Sequence, residues 1–570
     1  MAQQLYFSRD TRMFVQFRNT TDNTELAADL GKGSLWEIPI LDGYSFSQTT
    51  NTSEITLAEM ESTAGVSRRG RRMFTDSLAP AEFSFSTYIR PFKSLGQNNV
   101  TSGVKSADTA DYVAVHSIEE SLWAAMTGAD KYIANSNLMS FRRNVNPVSG
   151  SESDVITPTA TESTIVFTES NRSAMHSFVI YFLIDTATSN PLLYRLPESV
   201  INEVSIDFDV DGIATLNWTG FAKEVQDRSG RVHIDSEIPL GTDTTNDGVA
   251  MALGDVWLDT DNGRAFHIVN TDPGNSNPCT MTQAIDEATT STANFIRNRL
   301  TSVSIEAADA TDKVAGTFPG QHAVISAVDV SGGTDKITTS TAHGFTTGDQ
   351  VRISGITGSS GTAADLNGTH YVNVTSTTQF KLYTSESAAI TGHATTGLTD
   401  LDALNAGATL TSSVVANGKY SLTLTGGSFN IGNNITYLVP EELGAINKPL
   451  EHVTGTRTAT GNATCYLTLE DTDITNGTSR QFFNDMVGTG AMGKVVNKFK
   501  VVMDIGGSAA AAASTTDPAV KITFPTAHIE VPTHSVEDVI SLETNFTALP
   551  TDFGSADEIT SVIYYPPATY

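Results

Sequence analysis

The sequence predicts a mostly β fold: two tandem β-sandwich or barrel domains, each with a flanking helix, plus a small inserted all-β domain. Three observations carry that expectation. Thr, Ser, Gly and Asn are abundant while helical periodicity is scarce. Short runs alternate apolar and polar residues with period two, the pattern of a strand with one buried face. One succession of elements occurs twice along the chain, in the same order. At 570 residues the chain exceeds what one core holds, and its length fits three or four domains.

The first copy opens with WEIPILDGYSFSQTTN (36–51) and the second with YSLTLTGGSFNIGNN (420–434), each a strand, a Gly turn, a strand and an Asn-rich end. Next come APAEFSFSTYIRP (79–91) and ATGNATCYLTLED (459–471), alternating strands that carry Tyr88 and Tyr466. A helix follows in both. SIEESLWAAMTG (117–128) has Ser117 and Glu120 in capping-box positions, Ile118, Leu122, Ala125 and Met126 on one face, and Gly128 as a stop. TSRQFFNDMVG (478–488) has Phe482, Phe483 and Met486 as its apolar side, ended by Gly488. Strands FVIYFLID (178–185) and FKVVMDIG (499–506) come after the helices, and NPLLYRLPESVI (190–201) is answered by DPAVKITFPTAHI (517–529). Gly43 thus matches Gly427 and Pro197 matches Pro525, with the longer insertions in the first copy, around 52–78 and 131–175.

The sixth element, IDFDVDGIATLNW (206–218), is answered less cleanly by SVEDVISLETNF (535–546). Asp207, Asp209, Asp211 and Gly212 reproduce the first half of a calcium-binding EF-hand loop. The twelfth position is Trp218, which cannot ligate a hard cation, and the flanks alternate as strands where an EF-hand needs helices. Asp211-Gly212 between two alternating runs reads instead as a two-residue type I′ hairpin turn.

The copies are separated by an acidic, loop-rich stretch over 230–290 and by a block over 320–400 whose short strands and His-Gly, Thr-Gly-Asp and Asn-Gly turns describe a small barrel or sandwich. The expected boundaries are 1–230 for the first domain with an N-terminal arm, 231–290 for the connecting region, 291–319 with 401–570 for the second domain, and 320–400 for the insertion.

The formal net charge of −30 argues against a protein that grips nucleic-acid phosphates, though not against one that surrounds DNA without holding it. Cys279 and Cys465 lack CxxC spacing and make no disulfide framework. No apolar signal segment and no membrane-length apolar run is present. His343 and His370 are spaced for no compact metal site, and GITGSSGTAADLNG (355–368) lacks the Gly-Lys-Ser/Thr end of a phosphate loop. No nucleophile elbow or zinc-protease motif occurs, so neither a catalytic residue, a metal nor a cofactor is expected.

VINEVSIDFDVDGIATLNWTGFA (200–222) and NNITYLVPEELGAINKPLEHVTGTRTATGNATCYL (433–467) resemble the major tail tube proteins of long-tailed bacteriophages, and the resemblance extends over both copies. AHGFTTGDQV and LNGTHY in the 320–400 block resemble a small β module that recurs in phage structural proteins. The resemblance implies a virion structural protein rather than an enzyme, made in the host cytoplasm and placed in the tail. It implies self-assembly into rings stacked as a tube, with three duplicated subunits forming a pseudo-sixfold ring. The implied partners are tape measure, tail tip and tail terminator proteins, and DNA passing without specific binding; no membrane is implied. A tail tip, hub or host-surface-binding component is the alternative within the same resemblance. On these terms Asp207, Asp209 and Asp211 become candidates for an acidic lumen wall, and Arg68, Arg69, Arg71 and Arg72 candidates for a loop reaching the next ring, meeting an acidic surface such as 255–261.

Overall fold

In a computed structural model the described residues are 6–17, 35–55, 72–95, 100–101, 104–105, 113–127, 131–135, 138–142, 156–158, 162–167, 175, 177–186, 190–252, 254–261, 264–270, 280–283, 295–308, 322–329, 335–357, 366–392, 397–399, 410, 413–440, 448–468, 478–487, 499–506, 518–536, 539–552, 555 and 557–565. The fold is mostly β. In the first half of the chain one sheet runs Leu35–Ile38, Arg12–Phe17, Phe178–Ile184 and the start of the long strand Leu192–Asp209. A second runs Ser45–Ser47, Ala81–Tyr88, Thr215–Ala222 and the end of that same strand. The strand changes sheets at Pro197 and Glu198, the latter at φ 52°, beside register shifts at Phe178/Ile180 and Ile201/Glu203. Bulges and proline bend a strand in this way at sandwich corners.

The second half is wired alike. Lys419–Leu422, Ser302–Ala307, Phe499–Ile505 and the start of Ala519–Ile529 form one sheet, and Leu424–Gly432, Thr458–Tyr466, Ile540–Ala548 and the end of Ala519–Ile529 form the other. Pro525 lies at the bend, where Phe499 and Val501 pair with Ala527 and Phe524 across a register shift. Arg12–Phe17, expected from the sequence to belong to an N-terminal arm, is a central strand and the counterpart of Ser302–Ala307.

One cross-strand pair shows how the two halves fill the same space differently. Phe83 stands opposite Gly220, and its ring lies 2.5 Å from where a Gly220 Cβ would be. At the corresponding place Gly461 stands opposite Phe546, whose ring lies 2.5 Å from a Gly461 Cβ. The phenylalanine has changed strands while the filled volume is kept, as close packing requires.

Helix Glu120–Thr127 is buried along its whole length, including Leu122, Trp123 and Met126. Its start shows half of the expected capping box: the Ser117 N–H donates to the Glu120 carboxylate at 3.3 Å. The sequence had predicted one apolar face. The C-terminal strand Ser561–Tyr565 and Ser163–Val166, paired with each other, close over the other side, and Trp123 Nε1 donates to Tyr564 Oη at 2.6 Å. Helix Ser479–Val487 buries Phe482 against Tyr420.

The 230–290 stretch is more than a connection. Val232–Asp235, Val256–Asp259, Arg264–Asn270 and Thr280–Gln283 form a sheet whose Val232, Val256 and Leu258 pack on Phe14, Val179, Tyr181 and Leu183, the outward face of the first sheet. Between 322 and 416 six strands close a barrel with its own core of Ile325, Ile337, Val351, Val372, Phe380, Leu382 and Val415. Its sixth strand, Val414–Ala416, lies past the boundary at 400. The barrel sits within a hairpin, because Ser302–Ala307 before it pairs directly with Lys419–Leu422 after it.

Candidate functional site

The feature that joins the halves is also the one that defines a surface. The end of Leu192–Asp209 pairs antiparallel with Leu424–Gly432, in a register running from Glu203 opposite Gly432 to Asp209 opposite Gly426. The second sheet of each half therefore continues into the other as one sheet. Its inner side carries Val204, Ile206, Phe208, Phe429, Leu216 and Trp218 into the shared core. Alternation then sends Ser, Thr, Asn and Gly to the outer side, with Tyr88, Phe221, Tyr466 and His528 as larger exceptions.

Glu82, Glu203, Asp207, Asp209 and Glu543 stand on that outer side, and no Lys or Arg does among the described residues. Asp207 and Asp209 are exposed at the seam, over an open groove of about 610 Å³ that also includes Asp211, Asn298, Ser428 and Asn462. Side-chain hydrogen bonds knit the face together: Ser86 Oγ donates to Asn217 Oδ1 at 2.7 Å, Asn217 Nδ2 lies 3.5 Å from Asp207 Oδ2, and Asn430 donates to Glu203. Chemically the described part of the face offers carboxylates and polar groups to whatever lies over it, with His528 as its one protonatable base and no Lys or Arg.

The turn beyond Asp209 differs from the expectation. A type I′ turn needs positive φ at both centres; only Gly212, at φ 135°, has it, and Asp211 does not. The connection spans Val210–Ala214, held by the Ala214 N–H to Ile296 O at 2.9 Å and an isolated bridge from Ile213 to Arg297. Tertiary pairing with 296–298 has replaced the tight turn.

Arg68, Arg69 and Arg71 lie outside the described residues, and Arg72 is the first residue of a strand. The ribbon that leads to them is described: Thr50–Ile55 pairs with Arg72–Leu78, and it exposes Met73 and Phe74 at 59% and 58%. Large exposed apolar side chains on a ribbon are an interaction signal, one that alternation alone could not separate from a buried strand. The acidic surface expected at 255–261 is thinner than its sequence. Asp255 is buried, with Arg231 Nε donating to it at 2.9 Å, and Asp259 is buried; Asp261 is exposed.

His343 and His370 are occupied by backbone. A ring nitrogen of each lies at hydrogen-bond distance from a carbonyl, Ser376 O at 3.0 Å and Leu366 O at 3.1 Å, and burial holds both below the usual imidazole range despite these contacts. Cys465 is buried, and burial pushes its thiol up to about 11. Cys279 lies outside the described residues.

A charged cluster holds the barrel to the second sandwich. Lys419 Nζ lies 2.9 Å from Asp349 Oδ1, Lys521 Nζ 2.6 Å from Glu386 Oε1, and Lys500 Nζ 3.6 Å from Glu306. Burial pulls the Lys419 ammonium down, but Asp349 and Glu306 outweigh it and hold the group above its ordinary value. Asp504 goes the other way: burial raises its carboxyl to about 6 against the pull of Lys521 and Lys419.

These features define a mostly β chain, two like-wired sets of strands sharing one sheet whose outer face carries no Lys or Arg among the described residues. The comparisons with known proteins agree. Over 142 residues the chain is 34% identical to the tail tube protein pb6 of Escherichia phage T5, a structural protein. That stretch is 25% of this chain and spans 28% of the length of the relative it matches. No family model matches the chain. The resemblance to tail tube proteins of long-tailed phages, read first from 200–222 and 433–467, therefore stands on a direct match to one of them.

Proposed function

We propose that the chain is a tail structural subunit that assembles with its own copies into rings, stacked as the tube through which phage DNA leaves the virion. The observation that carries this reading is the shared sheet: a first-half strand and a second-half strand pair side by side, so one chain already contains a junction between two sandwiches. Two tube-type domains per chain, with the barrel over 322–416 as a decoration, turn a ring of three chains into a pseudo-sixfold wall. Closing the wall removes the free sheet edges that otherwise invite random pairing.

On this reading the outer face of the shared sheet lines the lumen. Asp207, Asp209, Glu82, Glu203 and Glu543 then present negative charge to DNA phosphates, with no Lys or Arg among the described residues of that face to retard them. Asp211, in the connection at the rim of the same groove, adds to it. The ribbon of Thr50–Ile55 and Arg72–Leu78, with Met73 and Phe74 exposed, reaches the neighbouring ring, and Arg68, Arg69, Arg71 and Arg72, which adjoin or begin its second strand in sequence, contact that ring. Tail tip, tape measure and terminator proteins are its partners in the tail. Electron microscopy of the purified protein, and of tails containing it, tests this directly. Rings or tubes with threefold and apparent sixfold symmetry are expected. Rings of six whole chains, or labelling confined to one terminal ring of the tail, would overturn it.

A further inference from the structure

The shared sheet ends in two free edges, and the internal junction is a mould for what joins them. One edge is Ser45–Ser47, paired only with Ala81–Tyr88; the other is Thr533–Val536, paired only with Ile540–Ala548, among the described residues. Superposing the two halves by their ladders makes Ser45, Phe46 and Ser47 the counterparts of Ser428, Phe429 and Asn430, since Ser84 and Asn462 occupy matching places on the next strand. The same ladders make Thr533 the counterpart of Ser205, because Asn217 and Glu543 match. In the internal junction Ser205 stands opposite Asn430 and Asp207 opposite Ser428.

We infer that Thr533–Val536 of one chain pairs antiparallel with Ser45–Ser47 of the next, with Thr533 opposite Ser47, His534 opposite Phe46, Ser535 opposite Ser45 and Val536 opposite Tyr44. This deepens the ring reading and rests on it, and the partner is a second copy of this chain. Three observations on the edge itself support the assignment. All four residues of Thr533–Val536 are exposed, Val536 at 77%, with Val531, Val539 and Ile540 exposed beside it. An exposed apolar strand edge is what a soluble monomer avoids and an assembling one needs.

The faces agree as well. His534 points to the helix side, its ring 4.1 Å from that of Phe483, so Thr533 and Ser535 fall on the polar side with Ser45 and Ser47. Side-chain volumes also complement each other. At the internal junction the buried Phe208 ring covers Gly427, whose Cβ would lie 2.7 Å from it; at the subunit junction the small partner is Val536 and the large one Tyr44. A head-to-tail contact of this kind closes a ring when its rotation matches that of the internal junction.

The test joins Ser45→Cys and Ser535→Cys in a chain also carrying Cys279→Ser, assembled and then oxidised. Directly opposed residues of an antiparallel pair have Cα atoms about 4.5–5.5 Å apart, within disulfide range. Chains linked in twos and threes on a denaturing gel, and no larger, are the expected product. The pair Ser45→Cys with His534→Cys, whose side chains face opposite sides, is expected to link about tenfold less. Assembled particles that lack the Ser45–Ser535 link, or link better through His534, overturn the register and leave the tube reading standing. Unassembled parent protein, even with purified tail tips, overturns the tube reading itself. If the cysteine variants misfold, hydrogen exchange of the unmodified protein decides: amides of 45–47 and 533–536 should slow about a hundredfold or more on assembly, and unchanged exchange in assembled particles refutes the pairing.

Discussion

Replacing the barrel by a two-residue turn separates decoration from architecture. The Ala307 N–H donates to Gly418 O at 3.0 Å, and Glu306 pairs with Lys419 in register, so an Asn-Gly turn in place of 308–417 closes an ordinary hairpin. The change removes Asp349 and Glu386 from around Lys419 and Lys521, whose side chains are 17% and 15% exposed. Stripping one partner from a fully buried pair costs about 3–5 kcal/mol. Here Glu306 and Asp504 remain beside the lysines and water enters where the barrel stood, so the expected loss is under about 3 kcal/mol. Urea unfolding measures that loss, and electron microscopy asks whether rings still form. Should the variant fail to fold, adding Lys419→Met, Lys521→Met and Asp504→Asn removes the two lysines together with the carboxylate they would leave unpaired, and is expected to restore it. A folded variant that makes no rings, or a triply substituted one that still does not fold, refutes the view of the barrel as a decoration.

Four other outcomes follow from the geometry. His267 is fully buried between Phe14 and Tyr181, and burial lowers its imidazole from 6.5 to about 4; a base with a lowered folded value gives stability present above pH 6.5 and lost as pH falls toward 4. His267→Phe is expected to remove about 3 kcal/mol of that acid sensitivity in thermal or urea unfolding between pH 7 and pH 4, and an unchanged pH profile counts against it. Gly461→Ala is expected to cost about 1–3 kcal/mol and to be relieved by Phe546→Ala, whereas Gly220→Ala meets the Val200 carbonyl at 2.1 Å and is not relieved by Phe83→Ala. Asp207→Lys with Asp209→Lys should leave ring formation intact but slow DNA ejection in a salt-dependent way, and unaltered ejection would take these residues off the lumen. Glu at Arg68, Arg69, Arg71 and Arg72 should shorten tubes without opening rings, as counted by electron microscopy; tubes of unchanged length return that loop to solvent.

Much of the fold was legible because alternation and order survive divergence. Pro197 and Pro525, matched from sequence alone, do stand at the same bend, since a strand leaving one sheet for another needs a residue that tolerates a broken ladder. The closing strand Val414–Ala416 was missed because a three-residue apolar run carries no period. The sheet over 232–283 was missed because its Asp255 and Asp259 read as solvent-facing charge while Arg231 and the fold bury them. The turn at Asp211-Gly212 was misread because a strong local signal was overridden by pairing to Ile296 and Arg297, far along the chain.

The site was legible in one respect and hidden in another, for a single reason. Asp207 and Asp209 could be placed on a strand face from period alone, but which face, and beside what, depends on strands from the other half of the chain. The exchange of Phe83 and Gly220 for Gly461 and Phe546 shows why identity between the copies could not supply the answer. Packing constrains the sum of the two side chains and leaves their distribution free, so each residue can change beyond recognition while the ladder keeps its register. The same freedom lets Phe208 over Gly427 and Val536 beside Tyr44 be equivalent contacts with no residue in common. What the duplication conserves is the edge, and an edge is a property of backbone pairing that no single residue reports.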